Sequence, residues 1–193
     1  MSTLQPVLVL PGSRREGAVS GRVLAAIVSR LEGQGMQVDV VRSADLTAPL
    51  YDGDLEEKEG VPDSIKQLNE RMQNASALVV VSPEYNGLFP PLLKNTLDWM
   101  SRTTDGQPGA KVFRGKPVLL VGSSPGANGG LRALPHLRTQ MANLGMNAYG
   151  PQLAVGQADQ KIDEQGTVTD ESLAKRMDGL VAGYVEFAQR LSA

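Results

Sequence analysis

Apolar positions along the chain follow two alternating patterns. Short runs bounded by turn residues read PVLVL (6–10), MQVDVV (36–41), ALVVVS (77–82), KPVLLVG (116–122) and MNAYG (146–150). Several are apolar on consecutive residues. Neighbouring strand residues point to opposite sides, so such runs predict strands covered on both faces of a parallel sheet. Between them, apolar residues recur at helical spacing. Val19, Val23, Leu24, Ile27, Val28 and Leu31 mark a first helix ending at Gly33. A second spans 62–75 and opens on Pro62 and Asp63, a favourable start. Pro90 and Pro91 open a third, with Leu93, Leu97 and Met100. The fourth carries Leu131, Leu134, Leu137, Met141 and Leu144, with Gly145 as terminator. The last follows Thr169, with Asp170 and Glu171 in its first turn, then Leu173, Met177, Leu180, Val181, Tyr184, Val185 and Leu191.

Five strands alternating with five helices predict an α/β doubly wound parallel sheet with helices on both faces. The count fits the flavodoxin-like strand order 2-1-3-4-5, as one domain over residues 1–193. Two long segments, 43–60 and 150–168, lack either pattern. The first is acidic and reads as a solvated surface loop, although loops of this length are often functional or interface-forming.

Composition narrows the chemistry. A formal charge of −2 gives no electrostatic footprint for nucleic acid or an anionic membrane. The chain has no cysteine and one histidine, His136, which excludes disulfides, thiolate metal sites, cysteine nucleophiles and histidine-rich metal centres. The opening MSTLQPVLVLPGSRR has no basic segment followed by a long apolar core, and its apolar run is too short to span a bilayer. The expected location is the cytoplasm.

Candidate chemistry lies in three loops after the first, third and fourth strands. In a doubly wound sheet these strands neighbour one another, and ligands bind beyond their carboxyl ends. PGSRREGAVSG leads into the first helix, whose unpaired N–H groups attract an anion. Ser13 and Ser20 offer hydroxyls, Arg15 offers charge, and Gly12 and Gly17 let the backbone curl. The loop lacks both GxGxxG and the Walker lysine, so a single terminal phosphate suits it better than a pyrophosphate or a triphosphate. The alternative is a serine-capped turn holding no ligand. In the second loop, Pro83-Glu84-Tyr85-Asn86-Gly87, a turn requires Asn-Gly but not tyrosine. Tyr85 either lies along a planar heterocycle whose edge bonds nearby N–H groups, or packs on a neighbouring helix. The third, GSSPGANGG (122–130), carries enough glycine to line a ligand with backbone, or to be merely flexible.

Together these loops resemble the NAD(P)H-dependent FMN reductase family, flavodoxin-like proteins that include quinone, azo-dye and chromate reductases. The family pattern GSxRxxSxN aligns with Gly12, Ser13, Arg15, Ala18 and Ser20; PEYN and a small residue align with 83–87; and the trailing GG-R aligns with Gly129, Gly130 and Arg132. Ala18 replaces a serine and Ser20 an asparagine, which removes one phosphate hydroxyl. The resemblance covers nearly the whole chain and implies a cofactor site made of Ser13, Arg15, Val19, Ser20, Gly21, Pro83, Glu84, Tyr85, Asn86, Gly87, Ser123, Pro125, Gly126 and Gly129. It also implies FMN as cofactor, NAD(P)H as hydride donor, and a small acceptor (quinone, flavin, azo compound or chromate) that uses the same flavin face in turn. It further implies a homodimer or homotetramer.

Hydride transfer between stacked rings needs no protein acid or base, so no catalytic side chain and no metal is assigned. Glu84 reads as fixing its loop or meeting a partner subunit rather than as a base. His136 reads as a surface or subunit-contact residue, and Trp99 as helix packing. Arg14 and Arg102 are either solvated charges or contacts for the phosphate of NADPH. A flavodoxin-type electron carrier and a non-catalytic FMN-binding module are the alternatives on the same fold. Such carriers tend to be strongly acidic, and a charge of −2 argues against one.

Overall fold

The computed structural model describes residues 5–104 and 106–191. In chain order the elements are β1 (Val7–Pro11), α1 (Val19–Gly33), β2 (Val38–Val40), α2 (Gly53–Glu59), α3 (Asp63–Asn74) and β3 (Ala77–Pro83). Next come α4 (Pro91–Met100), β4 (Thr103–Thr104), β5 (Gln107–Pro108), β6 (Pro117–Ser124) and α5 (Ala133–Asn143). The chain continues through β7 (Asn147–Ala148), β8 (Leu153–Gly156), α6 (Ala158–Lys161) and α7 (Glu171–Leu191). The main sheet is parallel in the order β2-β1-β3-β6, with β7 and β8 both on the far edge of β6. This is the flavodoxin-like order.

The consecutive apolar residues divide between two cores, one on each face. Val7, Val9, Val79, Val81, Leu119 and Val121 face α1 and α7, meeting Val23, Ile27, Leu31, Met177 and Val181. Leu8, Leu10, Leu78, Val80, Val118 and Leu120 face α3, α4 and α5, meeting Ile65, Leu68, Leu97, Leu137 and Met141. Burial on both sides is why these strands show no polar alternation. The wholly buried Tyr184 on α7 donates its hydroxyl to the Leu78 carbonyl at 2.8 Å, and burial pushes its phenol up so that it stays protonated.

Some expectations needed correction. The fifth strand is two pieces: β7 pairs with Pro117 and Val118, and β8 with Val121 to Ser124. Gly150 and Pro151 fall in the gap, where proline has no N–H for a ladder. Leu131 precedes α5 and is exposed rather than a core residue. Asp170 lies before α7, and its carboxylate accepts from Leu173 N at 2.7 Å, as a cap does. Segment 43–60 is not a free loop, because it contains α2, capped by Asp52, and is bound to α4. Asn95 Oδ1 accepts from Tyr51 N (2.7 Å), while Asn95 Nδ2 and the indole of buried Trp99 both donate to Pro49 O (2.8 Å each). Arg102 donates to both carboxylate oxygens of Glu56 (3.0 and 2.9 Å), and Tyr51 shares that carboxylate at 2.9 Å. Arg102 therefore secures this segment. His136 is exposed on α5. Among the described residues, no helix is long and apolar enough to cross a membrane.

Candidate functional site

At the carboxyl ends of β1, β3 and β6 the three loops converge. The first is pressed onto the strand beside it: Gly12 N donates to Val81 O at 2.8 Å. A Cβ on Gly12 would lie 2.8 Å from Pro83 Cδ and 2.9 Å from Ser82 Cα, so only glycine fits. Ser13 is buried and its hydroxyl accepts from Arg15 N at 3.2 Å, which shapes the curl. Ala18 occupies the N-cap position of α1 and provides no side-chain cap. The first-turn N–H groups of that helix are thereby left for a bound anion.

The second loop is a tight hairpin. Tyr85 N donates to Leu88 O (2.8 Å) and Leu88 N to Tyr85 O (3.0 Å). Asn86 and Gly87 have φ of 51° and 87°, the left-handed pair that a two-residue turn of this hand requires. Tyr85 is held at the tip's base with half its surface free (51%). Glu84, by contrast, turns inward: its side chain is 7% exposed and accepts from Arg132 Nε (2.7 Å) and Arg132 N (3.1 Å). Burial pushes its carboxyl up, but the Arg132 guanidinium and the backbone N–H groups of Arg132 and Ala133 outweigh it and hold the group below the usual carboxylate range. The second loop is thus tied to the end of the third.

In the third loop Ser123 is buried and its hydroxyl has no hydrogen-bond partner, whereas Ser124 Oγ accepts from Gly126 N at 3.0 Å. Gly129 is explained by packing. Its φ is 61°, and a Cβ there would stand 2.4 Å from Gly156 N. The glycines at this end let the loop lie against the end of β8.

A pocket of about 150 Å³ joins the loops. It is lined by Ser13, Arg15, Ala18, Val19, Ser20, Pro83, Glu84, Tyr85, Ser123, Ser124 and Pro125. Ser124 was not foreseen, although its signal was present in the Ser-Ser-Pro-Gly turn. Gly21 lies instead on a larger neighbouring cleft, Asn86, Gly87 and Gly126 are exposed beside the pocket, and Gly129 sits behind it. An uncapped helix end, a nearby arginine, an unpartnered buried hydroxyl and a half-exposed tyrosine fit one kind of ligand: a planar heterocycle bearing a phosphate.

Comparison with known proteins gives the same answer. The family model described as NADPH-dependent FMN reductase matches residues 6–160. A quinone reductase of Escherichia coli (strain K12) is 38% identical over 194 residues, covering 99% of this chain and 99% of its own. An NAD(P)H-dependent FMN reductase of Pseudomonas aeruginosa is 32% identical over 167 residues, 86% of this chain and 85% of that protein. Among solved structures, the flavoenzyme NAD(P)H:acceptor oxidoreductase FerB from Paracoccus denitrificans superposes with a TM-score of 0.82 at 27% identity, over 97% of this chain and 98% of that one.

Proposed function

This chain belongs to the NADPH-dependent FMN reductase family, oxidoreductases that use FMN and NAD(P)H, and from that premise we propose that it passes reducing equivalents to a quinone or similar small acceptor in two alternating half-reactions. FMN, when bound, takes hydride from the reduced nicotinamide and passes two electrons on to the acceptor. The protein's share is position and electrostatics. The observation that carries this reading is the convergence of the three loops on one pocket beside an uncapped α1.

Ser13, Arg15 and Ser20, with the first-turn amides of α1 near Val19 and Gly21, hold the phosphate. Tyr85 lies along the ring system, and the N–H groups of Asn86 and Gly87 offset negative charge growing on it during reduction. Ser123, Pro125 and Gly126 border the opposite edge. Glu84 is the pocket's one carboxylate among the described residues, and its bonds to Arg132 make it a positioning residue rather than a base. Tyr85 and Leu88 are about half exposed beside the pocket, and Leu131 and Leu50 are 59% and 80% exposed. Apolar side chains next to a ring-binding site support a subunit contact there, in a homodimer or homotetramer.

The purified protein is expected to be yellow, to bleach anaerobically with NADH or NADPH, and to regain colour with a benzoquinone. A colourless protein that takes up no FMN would sink the flavin reading. A yellow protein unresponsive to either nicotinamide would make it an electron carrier. Initial-rate lines that converge instead of running parallel as donor and acceptor are varied would rule out the alternating scheme.

A further inference from the structure

The flavin pocket is not the largest space at this edge of the sheet. A cleft of about 780 Å³ adjoins it, and Arg15 and Ala18 line both. The junction lies at the phosphate end of the flavin pocket, since both residues belong to the loop before α1. Tyr85 and the third loop border only the smaller pocket. At the junction Ala18 has no side chain beyond Cβ, where a larger residue would stand between the two spaces. Gly17 and Gly21 continue the cleft's floor, and a Cβ at either would meet nothing within 4 Å.

Cationic groups wall this cleft. Arg22 is held by donation from Nη1 to the carbonyls of Ile162 (3.2 Å) and Asp159 (3.4 Å). Its Nη2 stands 3.8 Å from Glu164, whose carboxylate is 80% exposed and therefore screened. Arg14 and the Arg15 guanidinium have no hydrogen-bond or ion-pair partner among the described residues. With Glu16 and Glu164 as the acidic members, three arginines leave the cleft net positive. One anion at the end of α1 accounts for Arg15. It does not account for Arg14, or for a space this large beyond the phosphate.

We infer that the cleft seats the adenylate half of FAD, so that the site takes FAD as well as FMN. The inference rests on the flavin reading proposed above. The first phosphate of FAD takes the place of FMN's own at the end of α1. Its second phosphate passes Ala18 toward Arg14 and Arg22, and the adenosine lies over the open floor at Gly17 and Gly21. Any group entering the cleft from the flavin pocket must be joined to that first phosphate, which FAD's adenylate is. The phosphate of NADPH shares the required charge but arrives on a separate molecule that must approach the ring end of the site.

The test is calorimetric titration of deflavinated protein with FMN and with FAD. The two dissociation constants are expected to agree within about threefold. Arg14→Ala, and Ser43→Asp on the far wall, should each weaken FAD at least about fivefold and change FMN less than about twofold, because they act on the second phosphate alone. FAD binding tenfold or more weaker than FMN, or variants that shift both flavins equally, would overturn the assignment while leaving the FMN site intact. If neither flavin binds, the flavin reading itself fails. A higher KM for NADPH but not NADH in Arg14→Ala, with FAD affinity unchanged, would give the cleft to the donor's phosphate and refute the FAD assignment.

Discussion

Glu84 and Arg132, from different loops, are joined twice: the buried carboxylate accepts from Arg132 Nε at 2.7 Å and from Arg132 N at 3.1 Å. The aromatic turn and the glycine-rich loop are thereby fixed as one body. Removing the charge with Glu84→Gln should loosen both. Arg132 is two-thirds exposed, so solvent screens the pair, and a loss of about 1 kcal/mol in stability is expected. The pH dependence follows in sign. A carboxyl whose pKa falls on folding contributes stability that is present above the ordinary carboxylate range and is lost as pH falls through the lower folded value. FMN retention in the wild type should therefore decline on the acid side, and Glu84→Gln should flatten that decline. Flavin fluorescence followed against pH would show it; identical curves would refute the role.

Tyr85→Ala should weaken FMN binding roughly two- to tenfold, the range for loss of one aromatic stacking partner. The turn is held by its own backbone bonds and by Asn86 and Gly87, so the fold should be unaffected. A fluorescence titration checks the affinity and circular dichroism the fold. Equal affinity would remove Tyr85 from the site.

Ala18→Ser supplies both a helix cap and a hydroxyl at the mouth of the phosphate site. Ala18 has an extended ψ of 135° and offers no side-chain cap. A serine there should raise stability by about 1 kcal/mol and tighten FMN slightly. Thermal denaturation with and without FMN separates the two effects: a gain only in the absence of FMN would mean that the hydroxyl caps the helix but touches no phosphate oxygen.

Gly129→Ala should be severely destabilising, on the order of 3 kcal/mol. The left-handed φ of 61° and a Cβ only 2.4 Å from Gly156 N combine backbone strain with overpacking. Urea denaturation measures it. A mild effect would show that the loop moves freely off β8.

Tyr184→Phe removes one buried hydrogen bond and leaves the Leu78 carbonyl without its hydroxyl donor. The expected cost is about 1 kcal/mol by urea denaturation, with FMN affinity unchanged because Tyr184 lies in the core beneath α7. An altered FMN affinity would contradict that placement.

How much of this was legible from the chain differs from element to element. The runs at Val7–Leu10 and Leu78–Val81 identified central strands because a strand buried on both faces must be apolar at every position. The loops after the first, third and fourth strands were placed together by topology alone. The fifth strand was harder to read, since its break depends on a proline and on the Tyr149 ring packing against Tyr184 and Phe187. Segment 43–60 looked solvated because its anchors, Asn95, Trp99 and Arg102, lie far along the sequence.

The sequence by itself determined the layer architecture, the strand order and the family, since each follows from local periodicity or from a contiguous motif. Only the tertiary structure decided which residues of a motif face a ligand and which serve packing. Gly129 and Gly126 look alike in GSSPGANGG, yet one is wedged against Gly156 and the other is open. Glu84 looked available for chemistry until Arg132 was seen to claim it. Such assignments depend on which distant side chain or backbone comes within a few ångströms, and neither periodicity nor motif encodes that distance.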